Sequence, residues 1–308
     1  MTQVNQLPLR VSPGFFPMNW SVIPYEGSYL GLIRSVNYRL TPAGYVLQND
    51  GVIRNENWTC RLNDDFQIQP HTQHLLQNTT PSSLPPNGPV VGIEDCRLFT
   101  HQDRLCFSGT TAHLNPKGDL KMATGLVENK GGEFEVSSLS PLSWEHERSC
   151  EKNWLPLTAP EHPLRFIYQT TPMTILEPDP STGHCVSLPL THSPALKGPP
   201  MRGGAAPVPF NKGGGFLYMV HELLLETPAR HYTHRFIHLG SDYQLLRISR
   251  PFILRQHGVE FVMGLAWNKA QTQLYLSFGA NDGESWQATV SWETVEAQLK
   301  AGPNEALL

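Results

Sequence analysis

The sequence predicts an all-β fold, a five-bladed β-propeller, on three observations. Its apolar segments are short and rich in aromatic and β-branched residues, glycine and proline punctuate them throughout, and one hairpin-like unit recurs five times.

The segments Gly31–Val36, Gly215–Val220 and Leu274–Phe278 are too short for helices and have strand composition. The 27 prolines and 25 glycines fit tight turns better than helix interiors, where both are costly. Only Ser291–Lys300 has helical spacing, with Val295 and Leu299 four apart on one face.

Each repeated unit is a polar cluster, an apolar strand, a turn and a second strand ending in another polar cluster. Five units are visible: 19–38, 94–113, 152–170, 202–222 and 260–282. In three of them the same internal distance of 18 residues recurs, from Asn19 to Asn37, from Asp95 to His113 and from Gly203 to His221. The units predict blades near 11–65, 88–140, 141–190, 198–248 and 252–295 of one domain spanning 1–308. A stretch near 66–87, rich in Gln, Pro, Ser and Thr, explains the wide first spacing as an inserted loop. In a propeller the innermost strands line one channel, so these scattered clusters would converge on an axis. The competing architecture is a β-sandwich whose polar clusters are ordinary turns.

A net charge of -4, with no basic run, argues against nucleic acid or an anionic membrane as partner. The first residues lack the pattern of a signal peptide, and five scattered cysteines without a Cys-x-x-Cys pair suit reduced thiols, so a cytoplasmic location is expected. His101, His113 and His231 have no partner at metal-ligand spacing, and no metal is expected.

Gly92–Phe99 reads Gly-Ile-Glu-Asp-Cys-Arg-Leu-Phe and is followed by a turn and Leu105–His113. This resembles the Glu-Asp-Pro-Arg signature of glycoside hydrolase family 130. Shorter likenesses lie at Asn19, Arg34 and Asn37-Tyr38, at Glu151-Lys152-Asn153-Trp154, at Arg202, at His221-Glu222, at Tyr232–Arg235 and at Gly279–Asp282, covering roughly 11 to 295. The resemblance implies a five-bladed propeller, a phosphorylase or hydrolase acting on mannosides, and Asp95 as the residue that protonates the leaving glycosidic oxygen. Cys96 stands where the family has proline, and the Glu151–Trp154 segment suits an outlying branch.

Inverting cleavage needs an acid and a nucleophile on the opposite face of the sugar. Side chains alternate along a strand, so Glu94 is expected on the opposite side from Asp95, with Arg97 on the Asp95 side. If phosphate is the nucleophile, Lys152, Arg202, His221 and Arg235 are the cationic candidates. If water is, then Glu222, Glu260 or Asp282 must act as base. The same cations could hold a sugar nucleotide, giving a glycosyltransferase. Asn19, Arg34, Asn37, Asn153, Tyr168 and Tyr232 complete the expected sugar-binding set, with Tyr38, Trp154 and Trp286 as further stacking surfaces. No cofactor is expected beyond inorganic phosphate or sugar phosphate as substrate. The rival readings are a non-catalytic glycan-binding propeller and a scaffold for protein partners, and oligomeric state stays open.

Overall fold

Five small antiparallel sheets follow one another around an axis, as the repeat predicts. The computed structural model describes residues 3–41, 43–47, 51–78, 90–115, 117–160, 162–190, 198–226 and 229–302. Blade one orders Phe16–Tyr25, Ser28–Val36, Ile53–Leu62 and His74–Leu75 from first strand to last, and blade two orders Ile93–His101, Arg104–Thr111, Lys121–Lys130 and Glu133–Pro141. Blade three is built from Leu155–Leu157, Arg165–Thr170, Met173–Pro178 and Cys185–Ser187. Blade four has Met201–Gly203, Phe216–Glu226, Ala229–Leu239 and Leu245–Ile248. Blade five has Glu260–Trp267, Gln273–Ala280 and Glu284–Ser291, and its outer strand is Gln3–Gln6 from the other end of the chain.

Every blade is buried on both faces, which explains the unbroken apolar runs. In blade four, Leu217 and Met219 pack with Val262, Leu276 and Phe278 of blade five. The alternate residues Tyr218 and Val220 pack with Leu155, Ile167 and Ile175 of blade three. Trp20 and Ile33 of blade one meet Ala266 and Tyr275 of blade five. Leu30 and Leu32 meet Leu98 and Phe107 of blade two, and Met122 and Leu142 meet Trp154 and Phe166 of blade three. The core is therefore five apolar wedges between neighbouring sheets, and no central layer exists for a sandwich to use.

The expected helix forms at Trp292–Lys300, with Ser291 accepting the Thr294 N–H at 3.3 Å as N-cap and Val295 and Leu299 buried. One expectation needs correction. The stretch expected as an inserted loop contributes ordered sheet: His74–Leu75 is the outer strand of blade one, and Gln77–Asn78 pairs parallel with Glu135 and Val136 of blade two. Edge strands facing solvent carry polar residues, so they resemble loops. Positions 79–87 of that stretch lie outside the described residues. A short hairpin that the sequence reading did not single out, Tyr38–Thr41 with Gly44–Leu47, branches off blade one after its second strand.

Candidate active site

The first strands of three blades break register where they enter the channel. The shifts lie between Pro17 and Trp20, between Glu94 and Arg97, and between Val262 and Gly264. Such bulges re-aim side chains. At Asp95 the backbone is left-handed, with φ 49°. The alternation expected for Glu94 and Asp95 is thereby lost, and one guanidinium holds both carboxylates: Arg34 Nη2 lies 3.1 Å from Glu94 Oε1, and Nη1 lies 3.0 Å from Asp95 Oδ1. Cys96 turns away from the pocket into the wedge with Leu30, Leu32 and Leu98, where burial raises its thiol pKa.

Asn19 Nδ2 donates to Asp95 Oδ1 at 2.9 Å, and Lys152 Nζ donates to Glu94 Oε2 at 2.5 Å. Asn55, a residue the sequence did not single out, accepts from Arg34 Nε at 2.7 Å and fixes its plane. Burial alone would raise the Asp95 pKa, but Arg34, Lys152 and the Asn19 hydrogen bond outweigh it and hold the carboxyl down at about 2. Burial would likewise depress Arg34 and Lys152, and the two carboxylates leave both with raised pKa values. Both donors to Asp95 use Oδ1, and Oδ2 receives no hydrogen bond from the described residues.

The facing side belongs to blades four and five. His221 is 4% exposed, with its ring edge-on to Tyr232 and Phe261. Burial, with the charges of neighbouring groups, lowers its pKa to about 3, so the imidazole is neutral, and its Nδ1 has no hydrogen-bond partner among the described residues. Arg202 is exposed, makes no ion pair among the described residues, and lies close enough to act electrostatically on His221 and Tyr232. Asp282 projects from the turn between the second and third strands of blade five and accepts from Tyr45 Oη at 2.5 Å. It feels Arg34, Asp95 and Arg230 across the mouth, and burial raises its pKa. Tyr38 and Tyr232 feel the Asp282 charge in turn, and burial is the main reason their phenols are raised, that of Tyr38 to about 12. Tyr45 and Arg230 thus join the mouth unannounced by any repeat. Tyr45 sits on the side hairpin, and Arg230 lies outside the unit that contains His221.

Other expected residues lie elsewhere or are fully engaged. Arg97 does not reach the Asp95 carboxylate. Its Nε donates to Gly204 O at 2.9 Å, Nη1 to the Asp95 carbonyl at 3.1 Å and Nη2 to Asn153 Oδ1 at 3.2 Å, tying blade two to the segments that open blades three and four. At 1% exposure it has no surface to offer a substrate. Asn37 bonds the backbone of Val52 and Arg54, bracing the side hairpin. Arg235 donates to Glu222 at 2.9 Å and to Ser249 O at 2.9 Å, so neither member of that pair is available as phosphate ligand or base. Glu260 is fully buried and accepts the N–H groups of Leu254 and Arg255 at 2.8 and 3.0 Å, which makes it a loop anchor. Tyr168 packs among Trp144 and Trp154, and Trp154 is itself buried. Trp286 is covered by Arg255 at 4.1 Å. No three His, Cys, Asp or Glu side chains gather as metal ligands among the described residues.

A cavity of about 450 Å³ opens at the other end of the channel, lined by residues 21–24, 97–103, 206–209 and 263–265 among others. None of Asn19, Arg34, Glu94 or Asp95 lines it, and Arg97 stands between the two ends. Its walls are largely apolar, whereas the carboxylate end holds the charge.

No protein-family model and no curated protein sequence matches the chain. Solved structures do. A β-1,2-mannobiose phosphorylase from Listeria innocua, in complex with β-1,2-mannobiose, superposes with a TM-score of 0.60 at 15% identity, over 95% of this chain and 95% of that one. The likeness is one of fold. A mannose phosphorylase from Leishmania mexicana, in complex with phosphate ion, gives 0.56 at 13% identity over 93% and 87% of the two chains. A family 117 glycoside hydrolase from Zobellia galactanivorans gives 0.54 at 11% identity over 96% and 91%. The five-bladed architecture that the Glu94–Arg97 motif implied is thus shared with proteins that process sugars.

Proposed function

We propose that this chain is a carbohydrate-active enzyme that moves a glycosyl unit, mannosyl by resemblance, between a β-glycoside and phosphate with inversion. The observation that carries the reading is the carboxylate pair Glu94 and Asp95, buried at the channel mouth and clamped by Arg34, Lys152 and Asn19. Burying two carboxylates is costly, and a purely structural role would be served as well by apolar packing. The cluster supplies fixed charge where an oxocarbenium-like centre needs it, with Asp95 Oδ2 open to a sugar hydroxyl.

Phosphate is favoured over water as the nucleophile by the facing wall. Arg202 has no ion pair among the described residues, Arg230 adds a second guanidinium near Tyr232, and neutral His221 has an open ring nitrogen. Of the carboxylates that a hydrolytic base would require, Glu222 and Glu260 are engaged in internal hydrogen bonds. The proteins that share the fold include a β-1,2-mannobiose phosphorylase and a mannose phosphorylase beside a family 117 glycoside hydrolase, so the choice of nucleophile rests on the facing wall. Purified protein incubated with β-1,2-mannobiose is expected to release a mannose 1-phosphate only when phosphate is added. Equal sugar release with and without phosphate would refute phosphorolysis and favour hydrolysis.

A further inference from the structure

We propose that Arg97 is a positioning residue: it touches no substrate, and its guanidinium fixes the relative placement of Asp95, Lys152 and Arg202 by holding one oxygen at or beside each. The assignment rests on the glycosyl-transfer reading above. Nη1, Nη2 and Nε of Arg97 donate in three directions, to Asp95 O at 3.1 Å, Asn153 Oδ1 at 3.2 Å and Gly204 O at 2.9 Å. Asn153 follows Lys152, which reaches Glu94 at 2.5 Å, and Gly204 lies two residues past Arg202. One side chain thus joins the opening segments of blades two, three and four.

Those segments need such a tie. The ladder of blade two is interrupted between Glu94 and Arg97, so strand pairing does not pin Asp95, and the Nη1 bond spans the bulge. Asp95 and Asn153 both have left-handed backbone, with φ 49° and 65°. Strain of this kind persists only where the surroundings over-determine it. Gly203 packs closely on the second strained residue, since a Cβ there would fall 2.1 Å from Asn153 O. A shift of the Asn153 segment would therefore move Lys152 and press on the segment that carries Arg202.

Packing alone does not explain a cation here. Arg97 is buried, makes no ion pair among the described residues, and bonds only neutral oxygens, with the Phe261 ring centre 5.8 Å from its Cζ. Burial pulls its pKa down to about 10 against the opposing charge of Asp95. An apolar side chain would avoid that cost, whereas three divergent oxygens require the planar fork of a guanidinium. Arg97 also lines the cavity at the far end of the channel, so truncating it leaves its seat open to that side and away from the carboxylates.

The test measures phosphorolysis of β-1,2-mannobiose with inorganic phosphate, per folded molecule as counted by near-ultraviolet circular dichroism. Arg97→Ala is expected to lower kcat about 10²-fold and to leave KM for both substrates within about threefold, because their contacts remain and only the alignment is lost. Guanidinium ion, far below the concentrations that unfold the protein, is expected to enter through the cavity and restore kcat by about tenfold or more, and methylammonium is not. Arg97→Lys keeps the charge without the fork and is expected to stay more than about tenfold down in kcat. Asn153→Gly keeps the positive φ without strain, removes one acceptor alone, and is expected to lower kcat about threefold to tenfold. Absence of guanidinium rescue, equal rescue by methylammonium, or a rise in KM with kcat intact overturns the assignment alone. Should Arg97→Ala not fold, wild-type kcat in Arg97→Lys or in Asn153→Gly overturns it. A wild type inactive on the disaccharide with phosphate overturns the glycosyl-transfer reading and this assignment with it.

Discussion

Blades one and two meet the channel mouth with charges that already satisfy one another, whereas blades four and five meet it with groups still open to a partner. On the first side Arg34, Glu94, Asp95 and Asn19, joined by Lys152 from the segment that opens blade three, form a paired network in which Asp95 Oδ2 and the partly exposed Lys152 ammonium stay open. On the second, His221 Nδ1 has no acceptor or donor and Arg202 has no ion pair among the described residues. The difference teaches which wall is built during folding and which is completed by a ligand. Preorganised charge costs nothing to reorient at the moment of reaction, and open valences are what a substrate can occupy.

The largest expected effect separates the walls by stability. Arg34→Met strands two buried carboxylates and is expected to cost about 3–5 kcal/mol in urea unfolding. A smaller loss would mean that the network is looser than its distances indicate.

Next in size, the walls should respond to acid with opposite signs. Asp95 is depressed from 3.8 to about 2, so its stabilisation is complete above pH 4 and lost as pH falls through the folded value. That is about 2 kcal/mol between roughly pH 4 and 2, and it should vanish in Asp95→Asn. Asp282 is raised, so its charged form is disfavoured by folding at neutral pH and the penalty is relieved as pH falls. Asp282→Asn should therefore be more stable than wild type at pH 7 and equal to it in acid. Stability curves of the two variants that move in the same direction would break the comparison.

The smallest effect is expected on the open wall. Arg202→Met should change stability by no more than about 0.5 kcal/mol while raising KM for phosphate about tenfold, with kcat little altered. A fall in kcat without a change in KM would place Arg202 with the preorganised charges instead.

Much of the fold was legible because a propeller repeats its grammar. Runs such as Phe216–Val220 are apolar on both faces, since each sheet packs against two neighbours. Asp95, Glu94, Arg34, Asn19 and Lys152 were legible from position in the repeat, and the structure brings them together. The shared orientation of Glu94 and Asp95 was not, because a bulge leaves no mark in composition and the alternation rule assumes its absence. Arg97, Arg235, Glu222 and Glu260 had the right residue types at the right positions, but hydrogen-bond partners decide availability and a single sequence does not reveal them. Tyr45 and Arg230 lie outside the polar clusters of the repeat, on a side hairpin and after a turn, where no periodicity points to them.

The pairing of Gln3–Gln6 with Glu284–Ser291 carries a consequence for biogenesis. During synthesis Gln3–Gln6 has no partner until the fifth blade has followed it, so the circle can be sealed only after Glu284–Ser291 has been made. Until the two strands meet, the edges of Gln3–Gln6 and of Glu284–Ser291 are both unprotected, and each is a template for pairing with another copy.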